Sequence, residues 1–148
     1  MVAEMKLWGW EIPFVVMFDT WTVCREQIDV QRVTTYAQKV FASLPDCETR
    51  VQNTVRLATM LRDYTAAVSS TKIYLFKSRE VGDEAFRRVV RPDLTESISR
   101  SLTANMLDSV STQPIDVWLI NGNHDSCMKM ENLCTHKDTI LALFRKWL

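Results

Sequence analysis

Glycine is scarce in this chain of 148 residues, limited to Gly9, Gly82 and Gly122. Each of the three therefore marks backbone that needs unusual freedom. No apolar run approaches the roughly 20 residues needed to cross a bilayer. The longest, Ile12 to Phe18, has the length of a strand. Net charge is lacking too: 18 basic and 18 acidic residues cancel, so no overall field favours nucleic acid or an anionic membrane. The N-terminus offers no export signal, because Glu4 and Lys6 interrupt the stretch Met1 to Trp8 where an apolar core and cleavage site would stand. Four cysteines, Cys24, Cys47, Cys127 and Cys134, include no C-x-x-C pair. Without a secretory signal they read as reduced, mostly buried thiols of a cytoplasmic protein.

What remains is ordinary globular material. The chain is 47% hydrophobic and 24% charged, and its length suffices for one domain with a core. Repeats, low-complexity segments and linkers are absent from the sequence.

Val2, Met5 and Trp8 recur at helical spacing, with Gly9 placed as a C-cap. Ile12 to Phe18 is apolar without alternation, as in a strand buried on both faces, and it stops at Asp19. Arg25 to Leu44 turns helical, with Val33, Tyr36, Val40, Phe41 and Leu44 on one face, and Pro45-Asp46 breaks it. A second helix is expected from about Thr49 to Ala67, its stripe being Val51, Val55, Ala58, Leu61 and Tyr64. Lys72 to Lys77 reads as a second buried strand. Ser78 to Thr95 reads as a long loop with a short helical turn at Glu84 to Val89. Thr95 to Val110 is expected to be one helix with Thr95 as N-cap. Ile115 to Ile120 is a third strand, followed at once by Asn121-Gly122-Asn123-His124-Asp125. A closing helix runs from about Asp138 to Trp147. Strands alternating with helices imply an α/β fold with a parallel sheet, and the two consecutive helices imply an insertion over it.

In open α/β sheets functional groups gather at the carboxyl ends of the strands. Asp19 and His124 stand at two such ends. Aspartate and histidine make two thirds of an acyl-transfer triad: the carboxylate fixes the imidazole tautomer, and the imidazole takes a proton from a hydroxyl and returns it to the leaving group. In α/β-hydrolases the chain order is nucleophile, acid, histidine, so the nucleophile is expected before Asp19.

Two stretches carry a family resemblance. Trp118-Leu119-Ile120-Asn121-Gly122-Asn123-His124-Asp125 resembles the histidine loop of fatty acid synthase, polyketide synthase and peptide synthetase thioesterases. Phe14-Val15-Val16-Met17-Phe18-Asp19-Thr20 resembles the strand that ends in their catalytic acid. Met1 to Met5 is similar to the helix after the nucleophile elbow, and Asp63-Tyr64 with Ile73 to Lys77 to the close of the lid region. The animal fatty acid synthase type is the nearest in flavour. The resemblance implies a partial α/β-hydrolase fold with core 1–22 and 70–148 and a helical lid at about 23–69. It implies hydrolytic release of acyl chains from an acyl carrier protein, with Asp19 and His124 catalytic and no bound cofactor, the substrate riding on phosphopantetheine. Trp21, Tyr36, Phe41 and Tyr64 are expected to line the acyl channel, or else to be ordinary core. Arg87, Arg88 and Arg91 are expected to meet a carrier protein or to form a solvated face.

The chain departs from the family at one point: it contains no Gly-x-Ser-x-Gly. Alone it is expected to be inactive, poorly soluble along the apolar edge at Ile12 to Phe18, and dependent on a serine and oxyanion donors supplied upstream. The lid is also shorter than in the fatty acid synthase type. Three alternatives stay open. Asp19 can be simply the N-cap of the next helix. The chain can be a non-catalytic remnant that binds an acyl group or a carrier protein. His124, Cys127, Cys134 and His136 can hold zinc in a small metal-stabilised domain.

Overall fold

The computed structural model describes residues 2–21, 28–82, 87–89 and 92–146. Cys24, the start expected for a helix at Arg25, residues Glu84 to Phe86 of the expected turn, Arg91 and Trp147 lie outside the described residues.

Elements run α1 (Val2–Leu7), β1 (Phe14–Phe18), α2 (Val30–Phe41), α3 (Cys47–Asp63), β2 (Lys72–Ser78), α4 (Glu96–Ser101), a 3-10 turn (Leu107–Val110), β3 (Asp116–Ile120), α5 (Met130–Cys134) and α6 (Lys137–Arg145). The chain clusters into two compact units. One comprises Met1–Thr22, Ala67–Gly82 and Leu102–Leu148; the other comprises Val23–Ala66 and Asp83–Ser101. Residues 83–101, counted with the core in the sequence reading, thus cluster with the helical pair.

The first unit is built on a parallel sheet in the order β1-β2-β3. Parallel neighbours need long crossovers, and the second unit supplies most of the chain between β1 and β2. Central β2 is buried along nearly its whole length, which accounts for its continuous apolar run. Register places Phe18 beside Phe76 and Phe76 beside Trp118. Because side chains alternate faces along a strand, these three rings share one face. They stack in a row, with centroids 5.1 Å and 5.3 Å apart. Leu133, Ile140 and Leu143 from α5 and α6 pack against Phe76, Ile120 and Cys127 to close that core. His136 meets Phe76 edge-on at 5.5 Å.

In the second unit α2 packs on α3 around Ile28, Val33, Ala58 and Val89, with Tyr36 against them. Asp29 caps α2 by accepting from the backbone N–H groups of Gln31 and Arg32, as favoured N-cap residues do.

Several boundaries differ from the sequence reading. The helix expected over Thr95 to Val110 ends at Ser101, because Asn105 and Met106 take left-handed backbone with φ of 51° and 62°. No continuous helix accommodates that geometry. Thr95 still caps it, accepting from Ile98 N–H at 3.2 Å. Helix α5 is additional to the expected set. The expected stripes are only half internal: Val40, Leu44, Leu61 and Tyr64 are exposed. Two helices packed on each other bury only the strip that faces the partner. Gly9 has φ of 80° just past α1 and Trp10 N–H reaches back to Met5 O at 3.1 Å, as a helix-ending glycine does.

Candidate functional site

Asp19 follows directly on β1, and its backbone is left-handed, with φ of 41°. Aspartate is among the few residues that visit this region, and strain of this kind concentrates at functional positions. Asp19 N–H donates to Phe76 O at 2.8 Å, which pins the turn to the central strand. The side chain is turned inward and is 7% exposed. Ser78 N–H, at the end of β2, donates to Asp19 Oδ1 at 3.0 Å. The helix-capping alternative is thereby corrected among the described residues: the next described helix, α2, is capped by Asp29, and the Asp19 carboxylate serves Ser78 and His124.

The loop after β3 presents His124. Gly122 has φ of 87°, and a Cβ there would meet Ser126 Oγ at 2.4 Å. Both facts require glycine. Asn123 Oδ1 accepts from the N–H groups of Asp125 and Ser126 and from Ser126 Oγ–H, while Ser126 Oγ accepts from Asn123 N–H. Asn132 then donates from Nδ2 to Ser126 O at 3.0 Å. Glu80 N–H donates to Gly122 O at 3.1 Å, tying the loop to the end of β2. The result is a rigid collar from which the imidazole projects, 62% exposed.

Acid and base meet across the end of β2. His124 Nδ1 lies 3.2 Å from Asp19 Oδ2, although the two residues are 105 positions apart. A carboxylate only accepts, so the proton of this bond sits on Nδ1. In the neutral ring Nε2 then carries the lone pair. Lys77 is buried at the same end of β2, donating its ammonium to Leu102 O and lying 5.7 Å from the Trp21 ring centroid. Burial pulls its pKa below 10.5, and the Asp19 charge opposes that pull.

Asn105 was not singled out by the sequence. It is fully buried, and its Nδ2 lies 3.5 Å from Asp19 Oδ1 and donates to Thr20 O at 3.2 Å. The only sequence signal was an asparagine inside a segment read as helix, where that residue is a poor former.

The expected acyl-lining residues divide between the two units. Trp21 is half-buried in the first unit. Tyr36 and Phe41 belong to the second unit, Tyr36 packing in its core, and Tyr64 is exposed at the end of α3. The zinc alternative is also corrected. Cys127 is buried with its thiol on His124 O, Cys134 is exposed, and His136 faces Phe76. Among the described residues no three histidine, cysteine or acidic side chains converge on a metal position. Among the serines near the dyad, Ser126 Oγ is spent inside its loop. Ser78 Oγ is buried and lacks a hydrogen-bond partner among the described residues. No described helix is long and apolar enough to cross a membrane.

No protein-family model matches the chain, and no curated protein matches it. Among solved structures it is similar to the Vlm2 thioesterase domain carrying genetically encoded 2,3-diaminopropionic acid and bound with a dodecadepsipeptide. Two crystal forms align with TM-scores of 0.54 and 0.55 at 11% identity, covering 93% of this chain. It is also similar to a four-domain nonribosomal peptide synthetase bound to AMP and glycine, with a TM-score of 0.58, 14% identity and 96% of this chain covered. The chain spans 58–60% of the Vlm2 domain and 13% of the synthetase. One neighbour is bound with a dodecadepsipeptide and the other is a peptide synthetase, so the narrower likeness to the fatty acid synthase type is not what they reflect. At such identities the likeness is one of architecture: the chain shares an α/β fold with these structures.

Proposed function

We propose that this chain supplies the acid–base half of a thioesterase centre acting on acyl or peptidyl thioesters. The observation that carries the reading is the Nδ1 to Oδ2 contact of 3.2 Å between His124 and Asp19, made at two strand ends of a parallel sheet. Asp19 holds the imidazole in the Nδ1–H tautomer. Nε2 of His124 takes the proton of a serine hydroxyl as the oxygen attacks the thioester carbonyl. The same proton then goes to the departing thiolate, leaving an ester on the serine. Water repeats the sequence to release the acid. The serine and the oxyanion-hole donors are read as belonging to a preceding segment, since no Gly-x-Ser-x-Gly occurs here. The carrier is read as an acyl carrier protein presenting phosphopantetheine, and the α2–α3 pair as the lid that excludes water. Trp21, Tyr36, Phe41 and Tyr64 remain the proposed acyl-contacting set. The fatty acid synthase type remains one candidate within this class.

The test joins this chain to the coding sequence that precedes it and assays hydrolysis of a short acyl-N-acetylcysteamine thioester. Turnover that falls by about 10³-fold or more in His124→Ala is the expected result. A joined protein that binds the thioester yet turns it over no faster than buffer would replace catalysis with the acyl-binding role.

A further inference from the structure

The geometry points to Asn105 as the positioning residue of the acid–base pair. It does not approach His124 itself; it acts through the carboxylate. The inference rests on the Asp19–His124 reading and extends it to a third side chain.

A carboxylate at a sharp strand end can rotate about two side-chain bonds, and only one orientation aims Oδ2 at His124. Ser78 N–H fixes Oδ1 from one direction. A single hydrogen bond leaves the group free to swing about it. The Asn105 carboxamide closes a second side of Oδ1 and also holds Thr20 O, so one planar group grips the carboxylate and the turn that carries it. Such outer partners commonly fix the groups that do chemistry.

The cost of placing Asn105 there argues that packing alone does not explain it. Its backbone is left-handed, and so is that of Met106, a conformation that non-glycine residues keep only where the surrounding structure holds them in it. Its side chain is wholly buried, and its Oδ1 accepts no hydrogen bond among the described residues. A buried polar atom left unmatched costs free energy again. An apolar residue would fill the space without that penalty, but it could not donate to Asp19. Lys77 on β2 lies near enough to Asp19 for the two charges to interact, and its ammonium is held by Leu102 O.

The experiment reads which imidazole nitrogen carries the proton, by ¹⁵N NMR of the histidine-labelled chain at a pH where the rings are neutral. The chain has two histidines, and His136→Gln assigns the signals. Free imidazole side chains favour the Nε2–H form. His124 is expected in the Nδ1–H form in the unaltered chain and to lose it in Asp19→Asn. In Asn105→Gly, which tolerates the left-handed backbone, it is expected to lose at least about half of its Nδ1–H population, a change of about tenfold in the ratio of the two tautomers. Asn105→Gly added to Asp19→Asn should change nothing further. An Asn105→Gly protein with its Nδ1–H population intact overturns the inference while leaving the dyad in place. Asp19→Asn without effect overturns the dyad itself. Should Asn105→Gly fail to fold, exchange of the Asn105 carboxamide protons in the unaltered chain decides. Protection well beyond a free amide, reduced in Asp19→Asn, supports the role; free-amide exchange ends it.

Discussion

At the scale of single residues, the histidine loop is held by glycine chemistry. Gly122→Ala must place a Cβ 2.4 Å from Ser126 Oγ at φ of 87°. We expect a loss of about 1–3 kcal/mol in urea unfolding, with Ser126→Gly in the same chain restoring part of it. An unchanged midpoint would mean the loop relaxes freely. Lys77 gives a pH-dependent case. Burial lowers its pKa from 10.5 in the folded state, so the unfolded chain binds more protons in the alkaline range below that value. Stability contributed at this site is therefore lowest below the folded pKa and rises as pH climbs through it. Relative to Lys77→Met, the unaltered chain should gain stability as pH rises from the folded pKa toward 10.5; a difference that stays flat up to 10.5 contradicts the assignment. Asp19 and His124 were legible in the sequence because strand-end position and a Gly-x-His turn are local signals. Asn105 was not, because its partner is 86 positions away and nothing in Thr103-Ala104-Asn105-Met106 signals a left-handed turn to a pattern search.

At the scale of elements, the ring row Phe18, Phe76 and Trp118 connects the two strands whose ends carry Asp19 and His124. Phe76 is fully buried at its centre. Phe76→Ala should cost about 3–5 kcal/mol in stability, and Phe76→Leu clearly less; equal losses would show that the stacking, not the volume, dominates. The strands were readable because buried parallel strands are uninterrupted apolar runs. Helix α5 was not: Met130–Cys134 is a single short turn of five residues, too brief for any periodicity to register. The helical stripes were overread for a related reason. Period reports which residues can face a partner, whereas Val40, Leu44, Leu61 and Tyr64 stand beyond the contact that α2 and α3 share.

At the scale of the molecule, β1 is an edge of the sheet among the described residues, and Leu7, Trp8 and Trp10 just before it are 85%, 74% and 61% exposed. Exposed edges with flanking apolar groups invite association. The chain by itself should associate with rising concentration in sedimentation velocity, and Trp8→Ser with Trp10→Ser should weaken that; a monomer persisting at high concentration would count against it. Every strand pairing joins segments far apart in the chain, and the acid and base stand 105 positions apart. Loop closure must be met before such contacts reward it. The Nδ1–H signature of His124 should therefore emerge among the last events of refolding, after helix formation is complete. A side-chain pair assembled only by long-range strand pairing doubles as a clock for the chain's final folding step.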